Sequence, residues 1–338
     1  MTVGIMGFGR IGRNVFRLLY RRDDVSIGAV SDLGDPASAE YLLKFDTLLG
    51  RFPDEVSARE GHLYVVGRQI ALLASQEKGA IPPWKELGVD TVVEATARKL
   101  TRADMEKHLQ AGAKRVILCE PPVDPVDLTV VNGINEHLVR KEHRILSCAS
   151  STVHCVAPLA KILLDAFGVK KLLFTTIHSY TNQHRLADVP AQDMRRGRAA
   201  AENIIPQDSR SPGMLQELIP ALTGKVLGSA MNVPVPNGSA VDLVCWHEKN
   251  VTVTAINEVV RTAIAAQRKG IMAYETEPIV SSDVAHSSFS STFDSRATMV
   301  LGGNVSKTLS WYDAGWGYSH RVVELLDRLQ FLDHEASR

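Results

Sequence analysis

The chain has 338 residues, 45% of them hydrophobic, enough for two domains that each bury a core of their own. Basic and acidic residues balance at 38 each, so nothing draws the molecule to nucleic acid or an anionic membrane, and small molecules and copies of the same chain are the expected partners. Its four cysteines, Cys119, Cys148, Cys155 and Cys245, show neither metal-ligand spacing nor a disulfide framework, and no leader or bilayer-length apolar run is visible, so no metal is expected and the expected location is a reducing cytoplasm.

Strand-like and helical segments alternate through the first half. Val3 to Met6 is apolar and β-branched, Ile11, Val15, Leu18 and Leu19 recur at helical spacing, and Val25 to Ser31 returns to the strand pattern. Further apolar runs stand at Thr91 to Glu94, Arg115 to Cys119 and Arg144 to Cys148. This alternation predicts an α/β domain of Rossmann type, a doubly wound parallel sheet with helices on both faces. After about residue 150 longer strand-like runs are joined by polar loops, at Lys170 to His178, Leu227 to Val235 and Ser239 to Trp246, followed by a helical stretch from Thr252 to Gln267. That pattern predicts an α+β domain with a mixed, mostly antiparallel sheet backed by helices. The amphipathic segment Tyr318 to Leu332 closes the chain, and neither an internal repeat nor a low-complexity linker interrupts it.

The sharpest local signal is Gly7-Phe8-Gly9-Arg10-Ile11-Gly12, placed between the first strand and the first helix. The first glycine permits a tight turn, the second lets a pyrophosphate approach the backbone, and the third lets helix and strand pack closely while the helix amides face the phosphates. Asp32 follows twenty residues beyond Gly12, at the end of the second strand. A carboxylate there accepts hydrogen bonds from both ribose hydroxyls and repels a 2′-phosphate, which favours NAD over NADP.

From this opening to Trp311-Tyr312-Asp313 and the segment Gly317 to Val323, the chain resembles the glyceraldehyde-3-phosphate dehydrogenase family. Landmarks between include Thr175 to Asn182, Arg195 to Pro206 and Val233 to Leu243. The resemblance implies a homotetramer, an NAD domain over residues 1–149, a catalytic domain over 150–317, and a C-terminal helix over 318–338 packing back on the NAD domain. It assigns the cofactor to Gly7, Gly9, Arg10, Ile11, Gly12, Asp32, Lys78, Thr96, Cys119, Asn182 and Ala314. It assigns substrate and phosphate to Ser150, Thr152, Thr181, Ser209 and Asn232, and catalysis to Ser151 and His178. The basic stretch from His184 to Arg198 is read by the same resemblance as lining cofactor and subunit contacts rather than nucleic acid.

In that family a cysteine at a helix N-terminus attacks an aldehyde, and the thiohemiacetal passes a hydride to NAD and leaves an acyl thioester for phosphate to cleave. Here Ala149-Ser150-Ser151-Thr152-Val153-His154-Cys155 carries Ser151 in place of the thiol and His154 in place of an asparagine. A thiol beside a histidine and a helix dipole ionises near neutral pH; an alcohol must shed its proton to a base as it attacks. Further departures share the site. Ala314 replaces the asparagine that holds the nicotinamide carboxamide, and Asn232 replaces the arginine that binds the substrate phosphate. Ser209-Arg210-Ser211-Pro212-Gly213 replaces the phosphate loop, Met6 an asparagine, and Cys119 a serine or threonine. Cys148 and Cys155 are read as small core residues rather than substitute nucleophiles.

Three readings follow. One is an NAD-dependent oxidoreductase of an aldehyde or related small substrate, phosphorylated or not, supported by His178 and needing no covalent intermediate. The second is a catalytically silent NAD-binding paralogue with a regulatory or assembly role. The third, a Ser151–His178 hydrolase, lacks a visible orienting carboxylate.

Overall fold

The computed structural model describes residues 1–74 and 79–335, which divide into two compact units. The first comprises Met1–Val130, Glu136–Ala149 and Ser319–Arg338, of which the last three residues lie outside the described ones. The second comprises Val131–Asn135 and Ser150–Tyr318.

The first unit begins β1 Thr2–Met6, α1 Arg10–Leu19, β2 Ser26–Asp32 and α2 Pro36–Lys44, then a short pair, β3 Phe45–Asp46 and β4 Gly50–Arg51. It continues with β5 Val56–Arg59, β6 His62–Val65, β7 Arg68–Ala74, β8 Thr91–Glu94, α3 Arg102–Gln110, β9 Arg115–Leu118, β10 Leu128–Thr129 and β11 Ile145–Ser147. Among the described residues nine strands form one sheet, ordered β10-β11-β9-β8-β1-β2-β7-β6-β5. From β10 through β7 all neighbours are parallel, as the alternating pattern predicts. The far edge departs from an all-parallel sheet, because β5, β6 and β7 form an antiparallel meander. Glu60-Gly61 and Val66-Gly67 are two-residue turns with both φ values positive, at 49° and 71° and at 48° and 70°. Such turns match the twist of paired antiparallel strands. The buried side chains Met6, Ala29, Trp84, Val89, Val92 and Ala113 form one core cluster beside the sheet, and Leu100, Met105, Val116, Leu118 and Ile145 form another.

The second unit carries α4 Ser151–Phe167, β12 Lys171–Ser179, β13 Ile205–Gln207, α5 Ser211–Leu218, β14 Val226–Val233 and β15 Ser239–Trp246. There follow α6 Val253–Gln267, β16 Met272–Glu275, β17 Ser291–Leu301, β18 Val305–Tyr312 and α7 Trp316–Glu335. The last helix begins among the residues of this unit and continues, from Ser319, among those of the first. Seven strands, counted among the described residues, form a sheet in the order β13-β14-β12-β15-β18-β17-β16. The β12–β14 and β16–β17 pairs are parallel and the others antiparallel, so the sheet is mixed and mostly antiparallel. Alternation along β12 buries Leu172, Phe174 and Thr176 while Leu173 and Ile177 face outward. Helix α4 is continuously buried from Thr152 to Ala160, an almost wholly apolar stretch, and reaches the surface in its last turns, where Lys161 pairs with Asp165.

Candidate functional site

In the first unit the chain leaves β1 through Gly7, whose φ is +92° and whose amide donates to the Ser31 carbonyl at 2.8 Å. A Cβ at Gly7 would lie 2.7 Å from the Ala95 carbonyl carbon and the Thr96 nitrogen, and one at Gly12 would lie 2.0 Å from the Gly7 oxygen. These glycines are required by backbone packing. Gly9 differs: it is the N-cap of α1, contributes no side-chain cap, and faces open space, with nothing within 4 Å of an added Cβ. The amides of Arg10, Ile11 and Gly12 begin the helix behind it, where the dipole favours an anion. Asp32 ends β2 and accepts from the Phe8 and Leu33 amides at 2.7 Å each, one to each oxygen. The remaining lone pairs of that carboxylate suit ribose hydroxyls. Open cradle, helix amides and fixed carboxylate together fit NAD.

Behind the cradle lies a buried network that sequence reasoning missed. The Thr96 amide donates to Glu94 Oε1 at 2.9 Å, and the Thr96 hydroxyl donates to the same oxygen. Glu94 Oε2 stands 3.3 Å from His108 Nε2, and the Trp84 indole donates to His108 Nδ1 at 2.9 Å. An indole only donates, so Nδ1 is the bare nitrogen and Nε2 carries the proton facing Glu94. No short motif joins Trp84, the Glu94 and Thr96 pair at the end of β8, and His108, which come from three separate segments. Cys119 follows β9 and is half-buried; burial pushes its thiol well up, and Cys148, Glu94 and Glu120 add to the effect. Lys78 lies outside the described residues.

In the second unit Ser150 caps α4, its hydroxyl accepting from the Val153 amide at 3.3 Å, and Ser151 is the first helical residue. His178 lies near the end of β12, where its Nδ1 donates to the Ser179 carbonyl at 2.6 Å. That bond fixes the tautomer with Nε2 as the basic nitrogen. A carbonyl does the orienting that a carboxylate performs in a hydrolytic triad, which weighs against the Ser151–His178 hydrolase. The two residues share a neighbour in Tyr312, whose ring meets the His178 imidazole edge-on at 6.1 Å. Burial drives the Tyr312 phenol up, the Cys155 thiol adds to this, and hydrogen bonds from Thr152, Ser239 and Ser151 oppose it. Tyr312 is therefore a neutral phenol beside Ser151. Thr152, expected with the substrate residues, is buried, with its Oγ1 3.0 Å from the Tyr312 hydroxyl. Burial also pushes the Cys155 and Cys245 thiols up to about 12, and Cys148 is fully buried. Neither Cys155 nor Cys245 supplies a thiolate near neutral pH.

The loop expected at residues 209–213 is partly helix. Ser209 accepts from the Ser211 amide at 3.2 Å, while Ser211, Pro212 and Gly213 form the first turn of α5, where proline's fixed φ is favourable. Asn182 is exposed just after β12. Ala314 sits between β18 and α7 with no polar side chain to offer, beside Asp313, which caps α7 through the Gly315 and Trp316 amides at 2.8 and 2.7 Å.

Asn232 lies directly beside His178 in the parallel register of β14 and β12. It is 1% exposed, and its Nδ2 stands 2.5 Å from His184 Nε2. His184 Nδ1 accepts from the Thr181 amide at 3.1 Å and contacts Thr181 Oγ1 at the same distance. Since Nδ1 accepts, Nε2 carries the ring proton, and two donors cannot face one another. The carboxamide therefore presents Oδ1 to Nε2, the two orientations differing by a half-turn about χ2. The half-turn gives Oδ1 a partner and moves Nδ2 into the buried place that Oδ1 held, where no partner stands among the described residues. Burial lowers the His184 pKa, the backbone bond to Thr181 partly opposes this, and Arg196 lowers it further, so the ring is neutral.

Comparison with known proteins matches two family models to two stretches of the chain. The family model described as glyceraldehyde 3-phosphate dehydrogenase, NAD binding domain, matches residues 1–102, and the one for the C-terminal domain matches residues 147–314. Glyceraldehyde-3-phosphate dehydrogenase of Geobacillus stearothermophilus is 47% identical over 326 residues, covering 96% of this chain and 97% of its own. That of Streptomyces coelicolor is 48% identical over 328 residues with the same coverage, and glyceraldehyde-3-phosphate dehydrogenase 1 of Bacillus subtilis is 44% identical over 326 residues, again covering 96% and 97%. The chain belongs to the glyceraldehyde-3-phosphate dehydrogenase family and is an NAD-binding oxidoreductase of that type.

Proposed function

We propose that the protein oxidises either a small aldehyde, which reacts as its hydrate, or a related alcohol, by direct hydride transfer without a thioester intermediate. The observation that carries this reading is the fixed tautomer of His178, whose Nδ1 is committed to the Ser179 carbonyl. When bound, NAD supplies the hydride acceptor. The reacting carbon loses a hydride and a hydroxyl proton passes to His178 Nε2, so the hydrate becomes a carboxylic acid and atoms and charge balance. Ser151 and the neutral Tyr312 phenol orient the substrate oxygen as hydrogen-bond partners. Ser151 is assigned an orienting role rather than a nucleophilic one, because His178 Nε2 is used for the substrate hydroxyl's proton and an ester at Ser151 would be less labile than a thioester. In the first unit Gly9, the amides of Arg10 to Gly12, and Asp32 hold the cofactor, with Thr96 fixed by Glu94.

A homotetramer in the cytoplasm accompanies this reading. Exposed Leu173, Leu227, Met299 and Leu301 on the second unit's sheet support burial against further copies, and no helix among the described residues is long and apolar enough to cross a membrane. The test joins calorimetric titration with NAD and NADP to an NADH absorbance assay on glyceraldehyde and its 3-phosphate. NAD binding with turnover that disappears in His178→Ala is the expected outcome. The loss of the carboxamide anchor at Ala314 favours a second reading, a silent NAD-binding paralogue, and NAD binding without any turnover would establish it.

A further inference from the structure

At the polar end of the substrate site in the second unit, His184 and the Thr181 hydroxyl are already taken up by the protein's own hydrogen bonds. Both imidazole nitrogens of His184 are used, Nδ1 by the Thr181 amide and Nε2 by Asn232. The Thr181 hydroxyl is taken up by His184 Nδ1 and by the Gln183 amide at 3.3 Å. Asn232 is buried beneath this tie yet lies next to His178 in register, so the closed end adjoins the acid–base residue. Arg196, the cation whose field reaches His184, is turned away to Gln207 Oε1 at 2.8 Å and to Asp193 at 3.7 Å. An arriving phosphate dianion would have to break these bonds and shed its water, and would gain Arg196 only if that side chain left Gln207 and Asp193.

We propose that His184 is a specificity-determining residue, holding Asn232 and Thr181 in an uncharged hydrogen-bonded lock that admits an unphosphorylated aldehyde and turns away its phosphorylated form. The proposal rests on the dehydrogenase reading above for its substrate class, but the lock itself is tested without turnover. Inorganic phosphate is titrated calorimetrically into NAD-loaded protein at constant ionic strength, for wild type and for the double variant His184→Gln with Asn232→Arg. The double variant is expected to bind phosphate at least about tenfold more tightly than wild type, since it gains a charge-assisted contact and loses the covering ring. In parallel, the His184 ring resonances of wild type, followed by NMR, are expected to stay unmoved by phosphate. This measurement decides alone if the double variant does not fold. Saturable phosphate binding by wild type that shifts those resonances and is lost in His184→Ala makes His184 a phosphate ligand and overturns the proposal. In the absorbance assay, wild type is expected to favour glyceraldehyde over its 3-phosphate in kcat/KM by about tenfold, with the order reversed in the double variant. A wild-type preference for the phosphate ester overturns the lock. Turnover of neither aldehyde sinks the dehydrogenase reading and leaves the phosphate titration to decide the lock.

Discussion

Replacing Gly9 and Gly12 separately by alanine separates cofactor binding from folding within one six-residue turn. At Gly9 the backbone φ of −71° and ψ of −158° is open to any residue, and an added Cβ has nothing within 4 Å. Alanine there gains about 0.4–1 kcal/mol from a less flexible unfolded chain and loses a comparable amount as a poorer N-cap. Net stability should stay within about 0.5 kcal/mol of wild type. The methyl group would fill the space through which a pyrophosphate approaches the α1 amides, and losing one or two charged-group hydrogen bonds at about 1.5–3 kcal/mol each weakens NAD binding by about tenfold or more. Gly12→Ala puts its Cβ 2.0 Å from the Gly7 oxygen, more than an ångström inside contact, against backbone that cannot turn aside. Here α1 must retreat from the turn, at a cost of about 2–4 kcal/mol. Urea unfolding followed by circular dichroism, with calorimetric NAD titration on the same samples, distinguishes the two. If Gly9→Ala binds NAD as wild type does, or unfolds as readily as Gly12→Ala, this account of the cradle is wrong.

Two further outcomes are expected. Asp333 is held below the usual carboxylate range chiefly by its bidentate bond to Arg115, at 2.6 and 2.7 Å. A carboxyl depressed in the folded state stabilises above its unfolded pKa, and that contribution fades as pH falls through the folded value. The stability gap between wild type and Asp333→Asn should therefore be full near pH 6 and close below about pH 4, and a gap that stays constant down to pH 2.5 would contradict the assignment. Separately, Ser151→Cys should not create phosphorylating activity, because Asn232 remains locked to His184 and Ala314 offers no carboxamide. Phosphate-dependent NADH formation from that one change would show that the rest of the site had kept its older function.

The fold was legible to the extent that it is written in local period. Alternation of strand and helix over the first half predicts the parallel portion of its sheet, and the longer polar-linked runs of the second half predict a mixed sheet, with ends displaced by a residue or two where helices and strands fray. The antiparallel meander at β5 to β7 was missed although Glu60-Gly61 and Val66-Gly67 signal it, because neither resembles the commoner asparagine-glycine turn. At residues 209–213 the resemblance to a loop outweighed Pro212, a residue well suited to a helix's first turn.

The candidate site divides along the same line. Gly7, Gly9, Gly12 and Asp32 are recognisable from sequence because their spacing and chemistry are set within one strand–turn–helix–strand unit. The replacement of a thiol by Ser151 is likewise a statement about one residue. Where hydroxyls and amides spend their hydrogen bonds is not local. Thr152 faces Tyr312 from a position 160 residues away in the chain, Glu94 meets His108 and Trp84 from separate segments, and Asn232 on β14 answers to His184 in the loop after β12. By itself the sequence determined the family and led to the expectation of a cofactor cradle at the glycine turn and of a site with Ser151 where a thiol is expected. Only the tertiary structure decided which polar groups are already satisfied, because a buried donor or acceptor must find its partner wherever the packing brings one.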